Sequence, residues 1–199
     1  MRLFDFFKKK KRPETHSILG YEVPSKDTGK DDDVLAPKIC AKEIPGEIAS
    51  KIEKINWHEF ETAYGNAGST VPKYLKNLFC SETEIAMGAT HQLWCSLCHQ
   101  HAFISSAALP SYEFLKIGLL TLDNSIKVEI LDIFLGFTNC TNPTVVRPKL
   151  EIWEVALRNH LISDIDIFRE LAFSPDEDLS YFANEILKSL ETSLNLASH

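Results

Sequence analysis

Glycine is scarce in this chain, with only 8 among 199 residues. No glycine-rich phosphate loop, dinucleotide-binding turn or G-x-S-x-G elbow occurs, so the commonest nucleotide-binding and acyl-transfer motifs are missing. Cysteine is sparse and odd in number: Cys40, Cys80, Cys95, Cys98 and Cys140. That usage is the one expected of reduced thiols and argues against a disulfide-built scaffold. No stretch approaches the ~18 uninterrupted apolar residues of a membrane span. Near the N-terminus, Leu3, Phe4, Phe6 and Phe7 precede a basic run (Lys8, Lys9, Lys10, Lys11 and Arg12), the reverse of the order in a secretory signal. The expectation is a cytoplasmic protein without stable membrane insertion. The basic run itself reads as a solvated extension, or as a patch for brief contact with a membrane.

Basic residues are also missing where they would matter for nucleic acid. Residues 1–150 hold 18 basic and 18 acidic side chains, whereas residues 151–199 hold 3 basic (Arg158, Arg169 and Lys188) against 10 acidic. The net charge of −7 therefore lies in the last quarter of the chain. Such a field argues against nucleic acid as the partner and favours a basic protein surface, or else only keeps the protein soluble.

Residues 13–37 are rich in Pro, Lys, Asp, Gly, Ser and Thr and carry no sustained apolar period, so residues 1–40 read as an irregular or flexible segment. From about residue 45 apolar residues recur at three- and four-residue steps, and residues 41–199 read as one helical domain. Ser81-Glu-Thr-Glu84 and Ser174-Pro-Asp-Glu177 have capping-box spacing, the second with Pro175 at the first helical position. After the first, Ile85, Ala89, Leu93 and Leu97 form a stripe; after the second, Leu179, Phe182, Ala183, Ile186, Leu187, Leu190 and Leu194 do. Both predict amphipathic helices facing a core. Residues 124–138 are apolar nearly all round, which predicts a helix buried on more than one side. A third copy of the Leu-x-x-Ser punctuation, Leu122-Asp-Asn-Ser125, places the three serines 44 and 49 residues apart. Periods of ~40–47 residues belong to stacked helical repeats that bury their apolar faces only against neighbours.

Four segments carry a family resemblance. These are Asn56-Trp-His-Glu-Phe-Glu-Thr-Ala-Tyr-Gly65, Val71-Pro-Lys-Tyr-Leu75, Gln92-Leu-Trp-Cys-Ser-Leu-Cys-His-Gln100, and Ser105-Ser-Ala-Ala-Leu-Pro110 followed by Glu113-Phe-Leu115. In order and spacing the chain resembles bacterial HEAT-repeat domain proteins over residues 55–138, and more loosely to about 192. It departs at His101, where the family usually has glycine, and in Ser111-Tyr-Glu113, inserted before Phe114-Leu115. The resemblance implies an all-α fold, a short α-solenoid of helical hairpins, and no catalytic chemistry. It also implies a protein-binding role, most specifically immunity against a cognate toxin. The alternative is an adaptor for another protein partner.

Several motifs compete with that reading. Cys95-Ser-Leu-Cys98-His99 matches the C-x-x-C-H haem-attachment pattern, but without an export signal buried thiols are the default. His91, Cys95 and Cys98 at i, i+4 and i+7, with Cys80 from a neighbouring helix, would be a zinc set, though a structural site usually takes two short-spaced pairs and only one exists. A redox dithiol would sit at a helix N-terminus, whereas this pair lies near a helix end. His99 and His101 read first as polar caps on the carbonyls ending that helix, ahead of a catalytic histidine, since no acid or nucleophile pairs with them in sequence, and otherwise as partner contacts. Asp164, Asp166, Asp176, Glu177 and Asp178 cluster at two predicted helix starts, where the helix dipole favours negative charge. Their functional reading, together with His99 and His101, is a surface for a basic toxin domain. No metal or cofactor is expected.

Overall fold

The computed structural model describes residues 15–18, 21–24, 40, 44–143 and 150–196. The basic run at residues 8–12, the apolar side chains before it and the polar stretch at 26–33 lie outside the described residues. The chain divides into two compact units, Met1–Ala36 and Pro37–His199.

In the first unit β1 (Thr15–Ile18) and β2 (Tyr21–Pro24) pair antiparallel, with Ile18 opposite Tyr21 and Thr15 opposite Pro24. This departs from the irregular reading of residues 1–40. Thr15, Ile18, Tyr21 and Val23 have the β-branched and aromatic side chains that suit strands, and only two residues separate the pair. The run is too short to stand out against its polar flanks.

The second unit is predominantly helical, as the apolar periodicity predicts. Its described helices are α1 (Gly46–Glu53), α2 (Val71–Leu78), α3 (Thr83–Leu97), α4 (Ala108–Thr121), α5 (Asn124–Cys140), α6 (Ile152–Ser163), α7 (Ile165–Leu171) and α8 (Glu177–Leu196). Between α1 and α2 a two-residue ladder joins β3 (Glu61–Thr62) to β4 (Gly65–Asn66), with Gly65 at φ 107°, where a side chain would be strained.

The expected burial of α5 on more than one side is present. Ile126, Ile130, Leu131, Ile133, Phe134, Phe137 and Cys140 are all buried, because α3, α4, α6 and α8 each pack against it. Consecutive helices pair as α2 with α3, α4 with α5, and α7 with α8. Non-consecutive contacts run α2 to α4 to α6 on one side, and α3 to α5 to α8 on the other. Fully burying each Leu, Ile or Phe at these seams contributes about 1.5–3 kcal/mol, so packing outweighs helix propensity in holding the elements.

The helix starts differ from the expected capping boxes. Helix α3 begins at Thr83, its N-cap is Glu82 in extended conformation, and Ser81 is exposed outside it. At α8 the Asp176 carboxylate accepts from the amides of Asp178 and Leu179, while Ser174 Oγ accepts only from the Asp176 amide. Asp176 lies two residues nearer the helix and reaches those amides first. The third serine lies inside its helix, since α5 starts at Asn124 with Asp123 in the N-cap position and no side-chain cap there. A reciprocal box forms instead at α6, between Glu151 and Glu154.

The cysteine expectation is corrected as well. Cys40 and Cys80 form a disulfide with Cα atoms 5.9 Å apart, leaving Cys95, Cys98 and Cys140 free. Sequence separation hid the pairing. The Cys40 amide donates to Asn77 Oδ1 at 3.2 Å, which brings the segment before α1 against the end of α2, beside Cys80.

Candidate functional site

The last turn of α3 and the 3-10 turn after it, His99–His101, gather most of the residues to which chemistry could be assigned. Gln100 and His101 both take left-handed conformations, at φ 53° and 54°. A residue with a side chain holds that conformation at a cost of about 1–2 kcal/mol. Side-chain and backbone contacts hold His101 there. Its Nε2 lies 3.2 Å from the Trp94 indole N–H and 3.2 Å from Asp132 Oδ1, and its carbonyl accepts from the Cys140 thiol at 3.4 Å. One nitrogen serves only one of the first two partners at a time. Carrying the proton, it donates to Asp132; without it, it accepts from Trp94.

Helix α5 approaches this turn closely because position 136 has no side chain. A Cβ on Gly136 would lie 2.7 Å from Cys98 Sγ and 2.9 Å from His101 Cδ2. Farther out, the Tyr64 hydroxyl meets His99 Nδ1 at 3.1 Å, and the two rings stand edge to face. His91 stacks on Trp94, and its Nε2 is 3.7 Å from Cys95 Sγ.

These thiols are poorly suited to nucleophilic work. Burial pushes the Cys95 thiol up, against a smaller lowering from its hydrogen bond with Tyr64. Cys98 is pushed well up by burial and then by Asp132, Cys140 and Cys95. A nucleophilic or metal-bound cysteine needs its thiolate. The hypothetical zinc set is also dispersed, since Cys80 is spent in the disulfide and Cys98 is packed against the Gly136 face. Among the described residues no three His, Cys, Asp or Glu converge to hold a metal ion.

Glu129, one turn before Asp132 on α5, is the most perturbed carboxyl. Partial burial, with a smaller contribution from Asp132, raises it to about 7. The folded state holds this proton more tightly than an unfolded chain titrating near 4.5. Its stabilising contribution is therefore complete below about 4.5 and is lost as pH rises through 7. Glu129→Gln is expected to be more stable than the parent at pH 8.5 by about 1 kcal/mol, a figure discounted because the carboxyl is partly solvated. At pH 4 the two should be nearly equal. Thermal melts across that range check it, and parallel curves for the two proteins would contradict the assignment.

The acidic residues singled out from sequence fall into separate environments. Asp164 accepts from the Tyr112 hydroxyl at 2.9 Å and pairs with Lys116 at 3.1 Å, which ties the α6–α7 junction to α4. Burial, and then this bond to Asp164, pushes the Tyr112 phenol up. Ser111-Tyr-Glu113 thus supplies a buried hydroxyl, an aromatic ring and, through Glu113, a second pairing with Lys116 at 3.0 Å. Asp166 pairs with Arg169 one turn on, at 2.8 Å. Asp176 caps α8 and receives the Asn124 amide at 3.3 Å. Glu177 and Asp178 stand exposed in the first turn of α8.

Asp176, Glu177 and Asp178 therefore stay together, while Asp164 lies at the opposite end of α7, roughly 10 Å of helix away. His99 and His101 form a different group. His101 meets α5 around Asp132 and Gly136, whereas Asp176 meets its first residue, about 12–18 Å along the same helix. Sequence reasoning missed Tyr64, Trp94 and Asp132 as companions of the histidines. It also missed Phe173 and Tyr181, which are 90% and 61% exposed. Tyr181 could have been found, because it lies off the Leu179–Ala183–Ile186–Leu190 stripe that seats α8. No family model matches this chain, and neither a curated protein nor a solved structure matches it.

Proposed function

We propose that this chain is a non-catalytic HEAT-like repeat protein that works by binding another protein. In its most specific form it is an immunity protein that neutralises a cognate bacterial toxin domain of basic character. The observation that carries the reading is the pattern of helix neighbours. Helices α2, α4 and α6 follow one another on one side and α3, α5 and α8 on the other; short turns bridge α2 to α3 and α4 to α5, and α7 lies between α6 and α8. That is the adjacency expected of three stacked helical hairpins, where each unit buries its apolar stripe only against the next. A stack of this kind offers an extended surface and needs no cofactor. The raised thiols of Cys95 and Cys98 are in keeping with a structural use of those residues.

The test is co-expression of the tagged chain with the product of the adjacent gene. A stable one-to-one complex, together with loss of that product's toxicity, is the expected result. No complex, and a neighbour harmless when expressed alone, would remove the immunity reading. The compartment follows from the thiols: the Cys40–Cys80 bridge fits an oxidising one, and a reduced pair the cytoplasm. Alkylation of thiols in freshly opened cells decides between them. No described helix is long and apolar enough to cross a membrane.

A further inference from the structure

Two aromatic side chains are exposed around the turn from α7 into α8, Phe173 at its start and Tyr181 in the first turns of α8, where its ring meets Phe182 edge to face at 5.4 Å. Phe173 is 90% exposed and Tyr181 is 61% exposed. The residues just before them are joined, since Ser180 Oγ donates to the Ala172 carbonyl at 2.8 Å, so both aromatics leave the backbone at the same junction of α7 and α8. On α8, Tyr181 stands four residues after Glu177 and three after Asp178, so both carboxylates share its face. Glu170 borders the patch from α7, and its carbonyl accepts from the Phe173 amide at 3.2 Å.

An end helix of a stack needs only a polar outer face to stay soluble. Two large rings on that face exceed the need, and their acidic surroundings indicate what they meet. Among the described residues none of Glu170, Glu177 and Asp178 has an ion-pair partner. The three cations of this quarter are placed elsewhere. Arg158 is buried, Arg169 is held by Asp166, and Lys188 lies beside Glu185, about 15 Å along α8 from Asp178. A second copy of the chain fits poorly, since a two-fold contact would set these carboxylates against their own equivalents.

We propose that this patch is the docking face for a cationic protein surface, with Phe173 and Tyr181 as anchors and Glu170, Glu177 and Asp178 as the steering rim. The proposal rests on the protein-binding reading above. Exposed aromatics that become buried dominate interface energies, and rim charges act mainly on the rate of encounter.

The experiment measures binding kinetics between the full chain and the purified product of the adjacent gene, at low and high salt. Phe173→Ala with Tyr181→Ala should weaken binding at least 30-fold, chiefly through faster dissociation. Glu177→Gln with Asp178→Asn should slow association by about 10-fold at low salt and flatten its salt dependence. All four positions are on the surface, so melting curves should stay close to the parent's. If the parent binds and both double variants bind as it does, this face is overturned while the binding function stands. If the parent does not bind, both fall together. Self-association of the parent that disappears in the aromatic variant would also overturn the proposal, because the occupant would then be a second copy.

Discussion

Replacing Phe134 with alanine is expected to lower the free energy of unfolding by about 4 kcal/mol, within the range for emptying a buried phenylalanine site. The position warrants the upper part of that range. Phe134 is 1% exposed, and its ring centroid lies 5.2 Å from Tyr112, 5.9 Å from Phe137 and 5.7 Å from Phe168. Those rings belong to α4, α5 and α7, so one side chain closes contacts among three helices. Tilted and edge-on pairs at these distances add about 0.5–1.5 kcal/mol to simple area burial. The cavity cannot collapse easily, since Tyr112 is itself fixed by Asp164 and Phe168 by the α8 contacts. For a chain of this size the melting temperature should fall by roughly 12 °C. Phe134→Leu should cost less than about 1.5 kcal/mol, because most of the volume is kept. Urea titration with calorimetry measures both. A loss below 1 kcal/mol for the alanine variant would mean that α7 is not seated on α5.

What was legible in advance follows from how far each signal travels along the chain. Periodicity is local, so the stripe of α8 could be read directly from Leu179–Ala183–Ile186–Leu190, and the burial of α5 on more than one side from Ile126–Ile130–Phe134–Phe137 together with Val128, Leu131 and Leu135. Caps are local too, yet Ser81 and Ser174 misled. Several residues near each helix start can serve the same free amides, and the backbone decides among them. At α8 it placed Asp176 nearest. The acidic residues were legible as a charge excess but not as a site. Asp164 and Asp166 had local or tertiary cations to satisfy, whereas among the described residues Glu177 and Asp178 in the first turn of α8 have none. His101 was legible as a departure from glycine. That its left-handed backbone persists depends on Trp94, Asp132 and Cys140, seven to 39 residues away, which no local pattern joins. The same limit applies to the junction that carries Phe173 and Tyr181, where a single hydroxyl–carbonyl bond, from Ser180 to Ala172, joins α8 to the end of α7.

The second large effect concerns the bond that sequence reasoning got wrong. Reducing Cys40–Cys80, or replacing both residues with alanine, is expected to lower stability by about 4 kcal/mol. The bridge closes a loop of 40 residues, and the loop-closure entropy it removes from the unfolded chain gives that figure. Part of the loss should come from the folded side. Cys40 also donates its amide to the buried Asn77, and once the bridge is gone the segment before α1 can lift from α2 and leave that side chain less well satisfied. Helix α1 meets the rest of the unit through α2, and its outer contact is the exposed pair Lys76–Glu53, worth well under 1 kcal/mol. The bridge is therefore the stronger fastening of this end of the stack. Two measurements decide the matter. Thiol counting in denaturant should find three free cysteines before reduction and five after it, because Cys95, Cys98 and Cys140 are the free ones. Denaturant titration with and without dithiothreitol should separate by the full amount in the parent and coincide in the double alanine variant. Five thiols before reduction, with superimposable curves, would show that the pair is reduced and would return the anchoring of α1 to its apolar contacts through Ile48 and Ile52.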